Sequence, residues 1–173
     1  MGNIFLVGMP GAGKTTIGRT LAKRLNMTFA DSDRELMART GVSIATIFEI
    51  EGEPGFRVRE SATLAELMQH DGLVLATGGG TVLAPENRRL LKENGTVIYL
   101  RATLEDLWQR TRRDVNRPLL QTEDPRATLE TLLQTRDPLY REAAHLIVDT
   151  GTQSVARLTT DILARLDQHQ VAG

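Results

Sequence analysis

The chain has 173 residues and a mass of 19.1 kDa, enough for one domain with a sizeable core and too little for two ordinary ones. A formal charge of −1 with a pI near 6.3 excludes a general attraction to nucleic acid or to a membrane surface, so any polyanion must be held at a local site. The lack of cysteine excludes disulfides, thiolate metal sites and thiol nucleophiles. No apolar stretch approaches the length of a membrane span and no basic leader precedes the first strand, so the expectation is a soluble, cytoplasmic, monomeric protein.

From the N-terminus, Asn3 to Val7 reads as a buried strand. It runs into Gly8-Met9-Pro10-Gly11-Ala12-Gly13-Lys14-Thr15, a full match to the phosphate-binding pattern G-x-x-x-x-G-K-[ST]. A helix follows in which Ile17, Leu21 and Leu25 recur every fourth residue. That strand, loop and helix context is what the pattern requires. Backbone N–H groups curl around a triphosphate tail and the helix adds the positive end of its dipole. Pro10 has no N–H, which leaves Gly11, Ala12, Gly13, Lys14 and Thr15 as donors. Lys14 is expected to reach the terminal phosphates, and the Thr15 hydroxyl to ligate Mg²⁺.

Met27 to Ala30 reads as a second strand ending in Asp31-Ser32-Asp33, followed by helices over Arg34 to Thr40 and Ser43 to Glu51, with Ser43 as N-cap. Glu51-Gly52-Glu53-Pro54-Gly55 reads as a turn before a helix from about Phe56 to Gln69. Leu73 to Ala76 is a compact strand running straight into Thr77-Gly78-Gly79-Gly80. Further helices are expected from Pro85 to Asn94, after Thr103, and from Asp124-Pro125 to about Tyr140. Strands are expected over Thr96 to Leu100 and Leu146 to Val148. In the closing helix, Val155, Leu158, Ile162 and Leu166 are assigned to the inner face. Residues 111–124 are arginine-rich and aperiodic, where a mobile loop would lie. Five strands alternating with about eight helices predict an α/β fold, a parallel sheet with helices on both faces. Ligands then gather at the carboxyl ends of the strands, where the phosphate loop, Asp31-Ser32-Asp33 and the glycine triplet all fall.

The acceptor of the phosphoryl group has to be read from the residues around that loop. Asp31 and Asp33, two apart in an extended segment, share a face. The strand Leu73 to Ala76 ends in Thr and glycines, so Asp31 is the best remaining carboxylate for Mg²⁺, through water, and Asp33 is left to accept from a substrate hydroxyl. The bland reading makes the pair a turn and a helix cap. Gly78, Gly79 and Gly80 let a ligand lie against bare N–H groups, or form no more than a flexible loop. Arg57, Arg59 and Arg136 suit bidentate capture of a carboxylate, although most helix arginines are solvated surface. Arg117, in Arg117-Pro118-Leu119-Leu120, can close over a triphosphate. Arg110, Arg112 and Arg113 are assigned to a solvated helix end and loop base. His70, His145 and His169 lack metal-ligand spacing.

Taken together, Gly8 to Thr16, Asp31-Ser32-Asp33, Ile47-Phe48-Glu49 with Gly52-Glu53, Phe56-Arg57, Thr77 to Gly80, Arg117-Pro118-Leu119-Leu120 and Arg136-Asp137-Pro138-Leu139-Tyr140 resemble the shikimate kinase family, in order over nearly the whole chain. The resemblance implies a P-loop NTPase of the nucleoside-monophosphate-kinase-like type: a five-stranded parallel sheet in a single kinase domain over 1–173, with a substrate-binding region at 33–61 and a lid at 112–124. It implies that Asp33, Arg57, Gly79 and Arg136 bind shikimate, with Gly78 and Gly80 beside them. Gly11, Ala12, Gly13, Lys14, Thr15, Thr16 and Arg117 would contact ATP, Thr15 and Asp31 would serve Mg²⁺, and Gln153 falls where some members meet the adenine. The expected reaction is transfer of the ATP γ-phosphoryl group to the 3-hydroxyl of shikimate, in aromatic amino-acid biosynthesis, with Asp33, Lys14 and Arg117 as the catalytic groups. Because phosphoryl transfer proceeds through a loose transition state, Asp33 is expected to orient the hydroxyl and take its proton late. A kinase for another small anionic polyol such as gluconate, or a nucleotide-dependent binding module, are the competing readings. No guanine-specifying Asn-Lys-x-Asp supports the latter.

Overall fold

The protein is described here from a computed structural model covering residues 2–113 and 120–172, with side chains described to residue 170. Five parallel strands, β1 (Asn3–Val7), β2 (Thr28–Asp31), β3 (Leu73–Ala76), β4 (Gly95–Arg101) and β5 (Leu146–Asp149), lie in the order β2-β3-β1-β4-β5. All residues of β1 and β3 are buried, as expected of central parallel strands covered on both faces, and their sequences are correspondingly apolar. The polar exception, Asn3, is satisfied: its Nδ2 donates to the His70 carbonyl at 2.7 Å and its Oδ1 accepts from Leu73 N–H at 2.9 Å.

Seven α-helices are described: α1 (Lys14–Leu25), α2 (Ser32–Thr40), α3 (Ile44–Leu67), α4 (Pro85–Asn94), α5 (Leu104–Thr111), α6 (Pro125–Ala143) and α7 (Val155–Ala172). Helix α1 packs on α7, while α6 packs on α4 and α5, and these two groups flank the sheet. The main core runs through the sheet into α1, α6 and α7. A second, smaller core of Leu36, Ile47 and Phe56 joins α2 to α3, with Ile44 and Phe48 packed against it.

The structure departs from the sequence reading at three places and keeps it at a fourth. Helix α2 starts at Ser32 and not at Arg34, because Asp31 Oδ1 accepts from Asp33 N–H at 3.0 Å and from Arg34 N–H at 3.3 Å, capping the helix two residues early. The break expected between Glu51 and Gly55 is present: Gly52 (φ 72°, ψ −179°) leaves helical geometry and divides α3 into two helical stretches, as the sequence reading has it. Pro54 fits the first turn beyond that break, where a missing N–H costs nothing. Val155 does not line the core: it is partly exposed at the start of α7, while Leu158, Ile162 and Leu166 are buried as expected. A short 3-10 turn (Thr81–Leu83), unforeseen, links the glycine triplet to α4.

His145 acts as a surrogate strand residue. Its N–H donates to the Val97 carbonyl at 2.8 Å, and its Nδ1 accepts from Val97 N–H at 3.0 Å. Burial, then the Lys92 ammonium and His169, push the His145 pKa below the ordinary histidine value. The folded chain thus keeps His145 neutral while the unfolded chain protonates near pH ~6.5, so stability falls as pH drops below that point. Protonation also removes the lone pair that Val97 N–H needs. We expect the thermal midpoint of the wild type to fall more steeply between about pH 7 and about pH 5 than that of His145→Asn, whose amide oxygen keeps an acceptor without titrating. Equal slopes would remove His145 from the pH response.

Candidate active site

The phosphate loop leaves β1 at Val7 and ends at the first turn of α1. Gly11 (φ 90°) and Gly13 (φ 94°) hold left-handed conformations that a side chain would strain. Gly13 caps α1 without a side-chain acceptor, which leaves the first N–H groups of the helix open to an anion. Lys14 Nζ bridges the loop, donating to the Gly8 carbonyl at 2.6 Å and the Met9 carbonyl at 3.0 Å. Thr15 Oγ1 donates to Asp31 Oδ2 at 2.8 Å. Asp31 therefore does two things at once: one oxygen caps α2 and the other holds the end of β2 against the start of α1.

A hydroxyl and a carboxylate oxygen side by side are hard donors of the kind Mg²⁺ takes. Among the described residues no group of three or more His, Cys, Asp or Glu side chains that could hold a metal ion occurs.

One cavity opens beside the loop, lined by Gly11, Ala12, Gly13 and Thr16 together with Arg110, Thr150, Gln153 and Val155. Gln153, which the resemblance put near the adenine, lines the same cavity as the phosphate loop. Arg110 stands exposed at the end of α5, as the sequence reading has it, and from there its Nη1 donates to the Gly11 carbonyl at 3.0 Å at the edge of this cavity. The end of α5 can come this close because Gly11 has no Cβ, which would sit 2.8 Å from Thr111 Cγ2. Nothing local in the sequence signals that approach. Arg117 and the rest of 114–119 within the expected lid lie outside the described residues, and Leu120 is buried in the main core.

A second crevice is lined by Pro10 of the phosphate loop. Asp33, Arg57, Gly78, Gly79, Gly80 and Arg136 all line it, so residues from α2, α3, α6 and the loop after β3 converge there. The three glycines make the convergence possible. A Cβ on Gly78 would lie 2.8 Å from Asp33 Oδ1, one on Gly79 3.2 Å from Arg136 Nη1, and one on Gly80 within 2.4 Å of Arg57 Nη1 and Nη2. The Gly78 N–H donates to Ser32 Oγ at 3.0 Å, which ties the triplet to the start of α2. Two aromatic rings, Phe48 and Phe56 with centroids 4.9 Å apart, line the crevice on the α3 side.

The two arginines differ in their electrostatic situation. Arg57 is already compensated: Nη1 donates to Glu60 Oε1 at 2.9 Å, Nη2 to Glu53 Oε1 at 3.2 Å, and its guanidinium lies 5.0 Å from the Phe56 ring centroid. Glu60, absent from the sequence-level site, is only 3 % exposed and accepts from Thr81 Oγ1 at 3.1 Å through its second oxygen. Its position three residues after Arg57 on one helix was the signal available. Arg136 is also 3 % exposed, but among the described residues it meets no carboxylate, and its buried Nε has no hydrogen-bond partner. A buried guanidinium left this way favours an anionic guest. Arg59, by contrast, turns outward and pairs with Glu51 across the Gly52 kink at 2.5 Å.

A phosphate loop on a five-stranded parallel sheet, next to a crevice lined by a buried cation and a carboxylate, defines a P-loop small-molecule kinase. The family model described as shikimate kinase matches residues 10–167. The chain belongs to the shikimate kinase family. It is 62 % identical over 165 residues to a shikimate kinase of Nitrosospira multiformis, covering 95 % of this chain and 85 % of that one. Among solved structures, shikimate kinase from Acinetobacter baumannii in complex with shikimate superposes with a TM-score of 0.96 at 50 % identity, covering 98 % of this chain and 94 % of that one. A gluconokinase from Sinorhizobium meliloti, at 18 % identity and a TM-score of 0.60 over 98 % of this chain and 95 % of that one, shares the fold alone.

Because the atoms a Gly80 Cβ would strike are the movable end of Arg57, Gly80→Ala is expected to fold with a thermal midpoint near that of the wild type. It displaces the guanidinium, so acceptor KM rises while ATP KM stays within about twofold. A loss of stability with both constants unchanged would contradict the crowding argument.

Proposed function

We propose that this chain transfers the γ-phosphoryl group of ATP to the 3-hydroxyl of shikimate, the reaction of its family, using the cavity lined by the phosphate loop and the crevice lined by Pro10, Asp33, Arg57 and Arg136. The observation that carries the acceptor side is the buried, uncompensated guanidinium of Arg136, next to Gly79 and facing the same crevice as Arg57 and Asp33. A carboxylate supplies the missing counter-charge and fits a planar fork. Asp33 accepts from the reacting hydroxyl and orients it, and the Gly79 N–H helps to hold the ring. The donor side consists of Gly11 to Thr16, with Gln153 and Arg110 toward the base and Arg117 closing over the triphosphate. Lys14 leaves the Gly8 and Met9 carbonyls for the terminal phosphates when these arrive. Thr15 and Asp31 would hold Mg²⁺, which supplies charge neutralisation at the phosphates when bound.

In this reading the whole chain acts as one kinase domain, with residues 33–61 presenting the acceptor and 112–124 serving as the lid. The second small core beneath α2 and α3 supports treating the former as a unit. We read the chain as a cytoplasmic monomer. No described helix is long and apolar enough to cross a membrane.

Catalysis then rests on alignment and charge placement more than on proton abstraction. In a loose phosphoryl-transfer transition state the nucleophile needs little deprotonation, so the carboxylate of Asp33 contributes by fixing the oxygen in line and receiving the proton afterwards.

ADP release by the wild type should be rapid when shikimate is present and slow without it; equal rates, or an equal response to gluconate, would defeat the assignment. Asp33→Asn should lower kcat by about a hundredfold or more while the protein still binds nucleotide. Retention of kcat within a fewfold would remove Asp33 from catalysis. For Arg136→Lys we expect shikimate affinity to fall about tenfold or more with ATP affinity unchanged, since the bidentate fork is lost while the charge remains. Equal losses for both substrates would contradict a carboxylate clamp.

A further inference from the structure

The residues proposed to hold the acceptor sit on separate elements, and none of them explains what fixes the glycine triplet itself. Gly78 is tied to Ser32, but among the described residues neither the Gly79 N–H nor the Gly80 N–H meets an acceptor. The Gly79 carbonyl, however, accepts from the Tyr140 hydroxyl at 2.5 Å, across sixty-one residues of chain. Tyr140 has no exposed surface and lies on α6 one helical turn after Arg136, so both side chains issue from one stripe of that helix.

A peptide unit is planar, and across its trans bond the carbonyl and the following N–H point in opposite directions. Holding the Gly79 carbonyl against Tyr140 therefore turns the Gly80 N–H away from α6. The same bond sets the distance between the triplet and Arg136, whose Nη1 already lies 3.2 Å from where a Gly79 Cβ would be. On the opposite side, Pro10 of the phosphate loop closes on Gly79, with 2.8 Å between Pro10 Cδ and the same notional Cβ. Gly79 is thus gripped between donor loop and acceptor helix, and one phenol supplies the hydrogen bond in that grip.

Helix α6 is itself anchored to the sheet by the other tyrosine. Tyr99, on β4 and in register with Val7 at the end of β1, donates to Asp137 Oδ1 at 2.7 Å, and Asp137 Oδ2 accepts from Arg141 at 2.8 Å. The two phenol rings pack with centroids 4.9 Å apart. Burial pushes the Tyr140 pKa up to about 12, so its hydroxyl remains a donor at every pH at which the protein is folded and working.

We propose that Tyr140 is a positioning residue of the acceptor site, whose hydroxyl sets the Gly79–Gly80 peptide and its spacing from Arg136 and thereby the affinity for the acceptor. The inference rests on the functional reading above. Tyr140 touches no reacting atom in this assignment. It acts through Gly79 and through the helix it shares with Arg136.

The test is Tyr140→Phe, which keeps the ring and its packing and deletes the hydroxyl, compared with Tyr99→Phe, which deletes a similarly buried hydroxyl that bonds Asp137. Tyr140→Phe should raise shikimate KM about three- to tenfold, the size of one hydrogen bond, with ATP KM within about twofold. Tyr99→Phe should lower the thermal midpoint while leaving shikimate KM within about twofold. Unchanged shikimate KM in Tyr140→Phe, an equal rise for both substrates, or the same rise in Tyr99→Phe would each overturn the proposal. The chain has only these two tyrosines, so 3-fluorotyrosine incorporated into Tyr99→Phe labels Tyr140 alone. Its ¹⁹F resonance should move on adding shikimate and stay on adding ADP. A resonance indifferent to shikimate would overturn the proposal even if Tyr140→Phe failed to fold. Wild type without shikimate-dependent ADP formation would defeat the functional reading and this inference with it; wild-type turnover with an unaltered Tyr140→Phe would defeat only the inference.

Discussion

In a parallel sheet every strand delivers its carboxyl end to the same edge, and in this protein that edge is where all the chemistry-bearing segments are released. The phosphate loop leaves β1, Asp31 ends β2 and the glycine triplet follows β3, three neighbours in the order β2-β3-β1. Registers such as Leu6 beside Ala76 and Asp31 beside Ala76 bring those ends level. The core beneath is therefore a positioning device: the fully buried residues of β1 and β3 leave the strands no freedom to slide, because a one-residue slip would reverse every side chain.

Upon that edge, a few polar contacts convert neighbouring strand ends into one rigid floor. Asp31 joins β2 to both α1 and α2, Ser32 holds Gly78, and Thr77 donates from its hydroxyl to the Leu6 carbonyl at 2.9 Å. Each of these groups is a buried or half-buried polar atom with its hydrogen bond satisfied, so moving one would expose an unpaired partner. Helix α6 then closes the crevice from above, carrying Arg136 and Tyr140 on one stripe, and Arg110 at the end of α5 joins the second helical group to the phosphate loop.

The charge pattern divides the site into a prepaid and an open part. Arg57 comes with Glu53 and Glu60 around it, which holds its guanidinium still without leaving a strong net field. Arg136 is buried with no such carboxylate among the described residues, so the net attraction for an anion concentrates there. In the proposed reading that asymmetry favours a guest whose carboxylate lies toward α6 and whose hydroxyl reaches Asp33, which lines the same crevice.

The amino-acid order by itself determined the strand and helix series, the phosphate loop and the caps at Ser43 and Thr103, because these depend on spacing of apolar residues and on side chains reaching their own backbone within a turn. It also carried the family resemblance, since Asp31, Asp33, Arg57, the glycine triplet and Arg136 sit within short recognisable runs. Helical spacing alone could not separate Arg57 and Arg136, which line the crevice, from Arg59, which turns to Glu51, although the resemblance did; neither revealed the bond from Arg110 to Gly11, Glu60 behind Arg57 or Tyr140 against Gly79. The early start of α2 escaped the sequence too. Those outcomes are decided by contacts between segments tens of residues apart, where burial and the removal of water set the worth of a charge or a hydroxyl. A local pattern holds no record of which distant atom will stand opposite.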